Sequence, residues 1–210
     1  LIPEFKTNQT FRIDQKQLLS RAPEDKYTSI TIHGTGGGSV AGAVSHWNQI
    51  SNVGTPFIID RAGEIFSTYD PDRYWVWHLG IGNSHIDKSC LAIELVNWLG
   101  LRRDTKGVIC SWPNNYTNPY TGVAFKASFR GFDFWEAYPE AQIQGLAKLC
   151  KWLNAKYSIP LKLMGDSFKL YSAEEWPQLL GGINTHTQFR SDKSDVGPAF
   201  NWQHFLDAVK

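Results

Sequence analysis

Two places in the sequence hold residues of the kind that do chemistry. His33 closes a β-rich run, residues 27–33 (YTSITIH), and is followed at once by Gly34 and by Gly36-Gly37-Gly38. A histidine at a strand end, beside a loop that admits close approach of backbone or ligand, has the position of a site residue. A buried structural histidine would look the same. The second place is residues 185–198, THTQFRSDKSDVGP, where His186, Lys193 and Asp195 share a Gly- and Pro-bounded loop. A zinc ion that performs hydrolysis needs three N, O or S ligands and one position for water. His33, His186 and Asp195 would supply that set, while the spacing alone fits a solvated charged loop equally well. Of the remaining histidines, His46 and His204 fall in helical patterns and His85 in a polar loop, and all three read as structural or solvated.

The elements that must position these residues alternate in type. Side chains alternate along a strand, so Ile30 and Ile32 share one face of the first run and Thr31 and His33 the other. After GTGGGS, Ser39 can cap a helix whose buried stripe is Val40, Val44, Trp47 and Ile50. PFIID at 56–60 and EIFST at 64–68 flank RAG, which reads as a hairpin turning at Gly63. LAIELVN at 91–97 is a further strand. Leu91, Ile93 and Leu95 form one face, and Ala92, Glu94 and Val96 the opposite one. A bare carboxylate at Glu94 would be costly in a core unless it had a task or a partner. Residues 98–138 are rich in Gly, Pro, Asn, Trp and Arg, show no steady period, and read as a long surface excursion. Residues 139–157 form a helix with Pro139 in its first turn and Ile143, Leu146, Leu149, Cys150 and Leu153 on one face. A short C-terminal helix follows at 201–209, with Trp202, Phe205, Leu206 and Val209 as its stripe. The pattern predicts an α/β fold, a single domain with a central mixed β-sheet flanked by helices and a long insertion loop.

The chain has 210 residues, which suits one domain. We place an extension at 1–26, with residues 1–8 a tail of no fold role in a processed or partial chain, and the domain at 27–210 with its insertion at 98–137. Lys and Arg total 21 against 20 Asp and Glu, a net charge of +1. That balance argues against a nucleic-acid binder, which relies on clustered positive charge. The longest apolar run, 91–101, is broken by Glu94, Asn97 and Trp98 and falls short of the ~20 residues of a membrane span. Cys90, Cys110 and Cys150 share no CxxC spacing and read as buried small apolar side chains. A Cys90–Cys110 bridge is the alternative in an oxidising compartment. Nine Trp, eight Tyr and twelve Phe are mostly core, though aromatic rings also line grooves for sugars and extended peptides.

Taken together, these segments resemble the zinc-dependent N-acetylmuramoyl-L-alanine amidase family, the fold of type 2 amidases, phage lysozyme-like amidases and peptidoglycan recognition proteins. The matching pieces are SITIHGTGG at 29–37, TPFIIDRAGEIF at 55–66, WHLGIGN at 77–83, LAIELVN at 91–97, YPEAQIQGLAKL at 138–149 and HTQFRSDKSDVGPAFNW at 186–202. Their order, more than any single piece, carries the resemblance. It implies that His33, His186 and Asp195 bind Zn2+, that Glu94 is the acid–base carboxylate, and that Lys193 steadies charge on the substrate carbonyl. It implies that His78, Thr35 and Trp77 line the substrate groove. It further implies a peptidoglycan or muropeptide substrate and action on the cell wall, as a periplasmic, secreted or phage-lysin protein. The chain departs from the family pattern at Gly34, where larger residues are frequent, and at Thr55, where some relatives have an assisting tyrosine. The 186–195 loop is slightly shorter than in some relatives, Val196 replaces a frequent proline, and 98–137 is an insertion that would serve as a groove wall or simply pack on the surface.

Two rival readings remain at this point. A non-catalytic peptidoglycan-binding module would share the fold, although such members typically lack a full ligand set. Dinucleotide binding is the rival of another class. GGGSVA at 36–41 fits GxGxxA after a strand and before a helix, with Asp60 ending the next strand. A phosphate loop is excluded because GTGGGS is not followed by Lys.

Overall fold

The computed structural model describes residues 11–210, the side chains at 113 and 114 excepted. Residues 1–8, read above as a tail, lie outside the described residues. The chain runs through β1 (Leu19–Ser20), β2 (Ser29–Gly34), α1 (Val40–Trp47), β3 (Phe57–Ile59), β4 (Ile65–Ser67), β5 (Tyr74–Trp75), α2 (Ser84–Ser89) and β6 (Cys90–Leu95). Residues 98–137 follow with β7 (Gly100–Arg103), β8 (Ile109–Ser111), α3 (Pro113–Tyr116), β9 (Asn118–Pro119), β10 (Ala124–Phe129) and β11 (Phe132–Glu136). Last come α4 (Glu140–Tyr157), β12 (Ile183–Thr185) and α5 (Trp202–Val209).

The central sheet has the order β12-β2-β6-β3-β4. Its first four strands are parallel and β4 is antiparallel to β3, so the sheet is mixed, as expected. The alternation in sequence decides its two faces. Ile30, Ile32, Leu91, Ile93 and Leu95 pack against Ile143, Leu146, Leu149, Cys150 and Leu153 of α4 and against Phe205 and Val209 of α5. On the opposite face, Ile58 packs with Val40, Val44 and Trp47 of α1. The β3–β4 turn passes through Gly63 at φ +79°, and a Cβ there would overlap the Ala141 carbonyl of α4. Only glycine lets this hairpin lie on the helix.

Several expectations need correction. The helix capped by Ser39 ends at Trp47, and Ile50 is exposed rather than part of its stripe. Asn48 stops it by turning its side chain to the N-terminal segment, accepting from Asp14 N at 2.8 Å and donating to Arg12 O at 3.2 Å. The same contacts hold the N-terminal segment against the domain. Ile13 is buried with Trp47, and β1 pairs with β5. Pro139 is the N-cap of α4 rather than a first-turn residue. His85 lies in α2, not in a loop, and is exposed. All three cysteines are free and buried, so Cys90 and Cys110 form no bridge.

The 98–137 segment is regular where no period was legible. It forms an antiparallel sheet of order β10-β11-β7-β8-β9 around Leu101, Cys110 and Trp135, all fully buried. Its pattern is hidden because arginines cover its rings. Arg102 lies 4.9 Å from the centroids of Tyr116 and Phe132, and Arg103 lies 4.6 Å from that of Phe134. Arg102 and Arg103 are consecutive in β7 and so cover rings on both of its faces, which removes the polar–apolar alternation of a half-buried strand.

Candidate metal centre and active site

The site lies at the carboxyl ends of the parallel strands, where open α/β sheets form their crevices. His33 is the penultimate residue of β2, and Glu94 is its register partner on β6. In-register parallel neighbours point to the same face, so both side chains leave the sheet opposite the α4 layer. His186 follows β12 directly, in a tight turn where the Thr185 and Gln188 side chains cap each other's backbone. Gln188 also donates to Met164 O and Asp166 O at 2.6 and 2.8 Å, which anchors that turn. Asp195 reaches the cluster from the following loop, accepting from Gly34 N at 3.4 Å.

Three ligand atoms converge. His33 Nδ1 is 3.0 Å from His186 Nδ1 and 3.5 Å from Asp195 Oδ2, and His186 Nδ1 is 3.4 Å from Asp195 Oδ2. Hydrogen bonding on the far side of each ring fixes what these atoms present. His78 Nε2 faces the Asp87 and Cys90 carbonyls at 3.2 and 3.1 Å, and carbonyls only accept, so that nitrogen carries the hydrogen. In the neutral ring His78 Nδ1 is then an acceptor, and it takes the hydrogen of His33 Nε2 at 3.0 Å. His186 Nε2 donates to Leu79 O at 2.9 Å. In the neutral forms both Nδ1 atoms therefore turn bare lone pairs toward the Asp195 carboxylate.

Burial first, and then the neighbouring His186, pushes His33 down to about 3, so it is neutral at physiological pH. Burial likewise lowers His78, against the pull of Asp87. Three buried lone pairs this close repel unless a cation lies among them.

The residues fit zinc. A tetrahedral ion with bonds of 2.0–2.1 Å separates its ligands by roughly 3.3 Å, and the three edges here bracket that value. Each histidine donates its other nitrogen to a partner that orients the ring, as metal-bound histidines do. His33, His186 and Asp195 are the one such His/Cys/Asp/Glu group among the described residues.

Glu94 stands beside this cluster. Its Oε2 is buried and has no hydrogen-bond partner among the described residues. Burial raises its carboxyl well above the ordinary value, Asp195 adds to that, and the Lys193 ammonium opposes it. The cleft above has a volume of about 290 Å³, and its walls include Thr35, Thr55, His78, Glu94 and Lys193. Thr35 braces the glycine loop, its hydroxyl accepting from Gly37 N and Asn97 N at 3.1 and 3.2 Å. Thr55 turns its hydroxyl to Phe57 O at 3.0 Å. Trp77 is not among the lining residues, and its ring packs edge-on against Trp75 at 4.9 Å. His78 does line the cleft, but its ring contacts go to His33, to backbone carbonyls and, at 3.7 Å, to the Asp87 carboxylate. Trp47 and Leu99 also line it: the spacing assigns Trp47 to a helix core, and Leu99 falls in the stretch that shows no period.

The glycine loop is not shaped for a dinucleotide. Side chains of this chain fill the close approaches that its glycines permit: a Cβ at Gly34 would overlap Leu99, and one at Gly38 would overlap Trp98. Asp60 accepts from Ala62 N and Glu64 N, both at 2.9 Å, and so caps its own hairpin rather than facing a ribose.

The family model for N-acetylmuramoyl-L-alanine amidase matches residues 23–198. No curated protein matches the sequence. Among solved structures, a selenomethionine derivative of AmpD has a TM-score of 0.55 at 17% identity, over 100% of this chain and 97% of that one. The N-acetylmuramyl-L-alanine amidase AmiD from E. coli, in complex with anhydro-N-acetylmuramic acid-L-Ala-D-gamma-Glu-L-Lys, gives 0.55 at 17% identity over 93% of this chain and 62% of that one. The amidase LysC from Clostridium intestinale gives 0.52 at 11% identity over 94% and 95%. At these identities the likeness is one of fold.

Proposed function

The chain belongs to the N-acetylmuramoyl-L-alanine amidase family, and on that footing we propose that it hydrolyses the amide bond between N-acetylmuramic acid and the L-alanine of the stem peptide. The substrate is peptidoglycan or its muropeptide fragments, and the place of action is the cell wall. The observation that carries this reading is the convergence of the His33, His186 and Asp195 lone pairs beside Glu94, whose Oε2 is buried and has no hydrogen-bond partner among the described residues.

His33 Nδ1, His186 Nδ1 and Asp195 Oδ2 would hold the zinc ion, which when bound polarises a carbonyl and lowers the pKa of water. Glu94 Oε2 takes a proton from the attacking water and delivers it to the leaving amine. Its raised pKa suits the first half of that task, because a stronger base accepts the proton more readily. The water oxygen joins the lactyl carbonyl carbon, the C–N bond breaks, and the amine nitrogen receives the proton that Glu94 carried. Lys193, on the cleft wall, offers a positive charge to the oxygen that becomes anionic, an effect worth about 3–4 kcal/mol per donor. His78 orients His33 and acts through it.

The test is mass spectrometry of purified peptidoglycan after incubation with the protein, with and without a zinc chelator. Stem peptides released with a free L-alanine amine, only in the absence of chelator, are expected. Intact wall and intact soluble muropeptides with folded, zinc-replete protein would instead favour a binding module. Release at another bond would overturn the specificity.

A further inference from the structure

One side chain of the 98–137 sheet reaches the loop that carries Lys193 and Asp195. β10 and β11 are joined by Arg130 and Gly131 alone, with Phe129 paired to Phe132. Both loop residues have positive φ, +48° and +81°. This is the geometry of a type I′ turn, whose first position favours Asn and Gly. An arginine held there is at a conformational disadvantage, and such a residue points to a task beyond the turn.

The Arg130 guanidinium supplies that task. Its Nη1 faces three carbonyls, those of Arg190 at 2.9 Å, Ser191 at 2.7 Å and Lys193. Its Nη2 faces Thr187 O at 3.4 Å. Four carbonyls aimed at one point form a partial negative centre that needs donors, and a planar fork meets several at once as an ammonium does not. All four belong to the loop between His186 and Asp195. The two residues just after Asp195 are held as well. Tyr138 donates to Val196 O at 2.7 Å, and a Cβ at Gly197 would overlap the buried Trp135 of β11. Phe129 fixes the hairpin tip, with its ring 5.8 Å from Trp135 and 5.2 Å from Phe168.

We propose that Arg130 is a positioning residue that sets the 187–195 loop, and through it the placement of Lys193 and Asp195. The insertion is then a scaffold for the site rather than a surface addition. The inference rests on the metal-centre reading, but its first readout does not.

The experiment compares wild type with Arg130→Asn and with Arg102→Ala, using the full chain. Hydrogen exchange by mass spectrometry follows the amides of 187–195, chelator competition measures zinc affinity, and thermal melts report global stability. Asn is the better turn residue, so Arg130→Asn is expected to keep the melting temperature. It should speed exchange across 187–195 about tenfold and weaken zinc binding about tenfold, as loss of a ligand-orienting contact does. Arg102→Ala removes the stacking on Tyr116 and Phe132 within the same sheet but no contact to the loop. It is expected to lower the melting temperature and leave loop exchange and zinc affinity as in wild type. Wild-type exchange and affinity in Arg130→Asn would overturn the proposal, and so would equal losses in Arg102→Ala. Failure of the amidase reading looks different: wild type would leave peptidoglycan and muropeptides uncut while Arg130→Asn still loosened the loop.

Discussion

His33 and His186 face each other through Nδ1 atoms 3.0 Å apart, and neither nitrogen has a hydrogen to offer the other in its neutral form. His78 and the Leu79 carbonyl have taken the hydrogens on the far sides of the two rings. The pair is arranged to bind a cation rather than to bond to itself.

Glu94 and Asp195 are expected to separate chemistry from metal binding. Glu94→Gln keeps the shape and should keep zinc, while turnover falls at least about 100-fold, the low end of acid–base contributions. Asp195→Ala should lose zinc and, with it, turnover. Metal content and peptide release are measured on the same samples. A wild-type rate in Glu94→Gln would move the base elsewhere, and full zinc content in Asp195→Ala would remove Asp195 from the ligand set.

His78→Ala deletes the acceptor that holds the hydrogen on His33 Nε2. Zinc affinity should drop about 10- to 100-fold while the fold survives. Chelator competition and a thermal melt check this. Unchanged affinity would mean that His33 keeps its orientation without His78.

Glu136→Ala tests how the 98–137 sheet is fastened. Glu136 receives Arg61 in two-point contact, Nε–Oε1 at 2.5 Å and Nη2–Oε2 at 2.9 Å, and also accepts from Trp98 N. The Glu136 side chain is 4% exposed and that of Arg61 31%. Removal strands one charge and one backbone donor, so urea unfolding should show a loss of about 2–3 kcal/mol. A loss below the error of the measurement would show that the sheet is held by its apolar contacts alone.

Lys88 and Asp25 tie the N-terminal segment to α2, Nζ lying 2.9 and 3.0 Å from the two carboxylate oxygens. Burial opposes the Asp25 charge, and Lys88 with the Ala22 amide outweighs it, so its folded pKa lies below the ordinary 3.8. The stabilisation is full at neutral pH and is lost as pH falls below that value. Lys88→Met should therefore cost about 0.5–1 kcal/mol near neutrality and nothing once Asp25 is protonated. A deficit that persists in acid would assign it to packing of the lysine stem.

What the sequence determined by itself is what covalent geometry repeats locally. Strand alternation set Ile30 and Ile32 against Thr31 and His33, and Leu91, Ile93 and Leu95 against Glu94. Helical spacing set the buried stripe of α4. The His33, His186 and Asp195 set was visible as residue types, but its spacing alone could not tell a site from a charged loop. Tertiary structure decided the rest. His33 and His186 are 153 residues apart and meet because β12 and β2 lie side by side, a pairing that no local pattern encodes. His78 was placed on the groove by resemblance, and only the fold shows that its polar contacts pass through His33. The 98–137 strands were hidden because arginines stacked on rings replace the polar–apolar alternation that marks a strand. Arg130 carried no signal at all, since the carbonyls it binds are backbone atoms that every sequence possesses, and only folding aims four of them at one guanidinium.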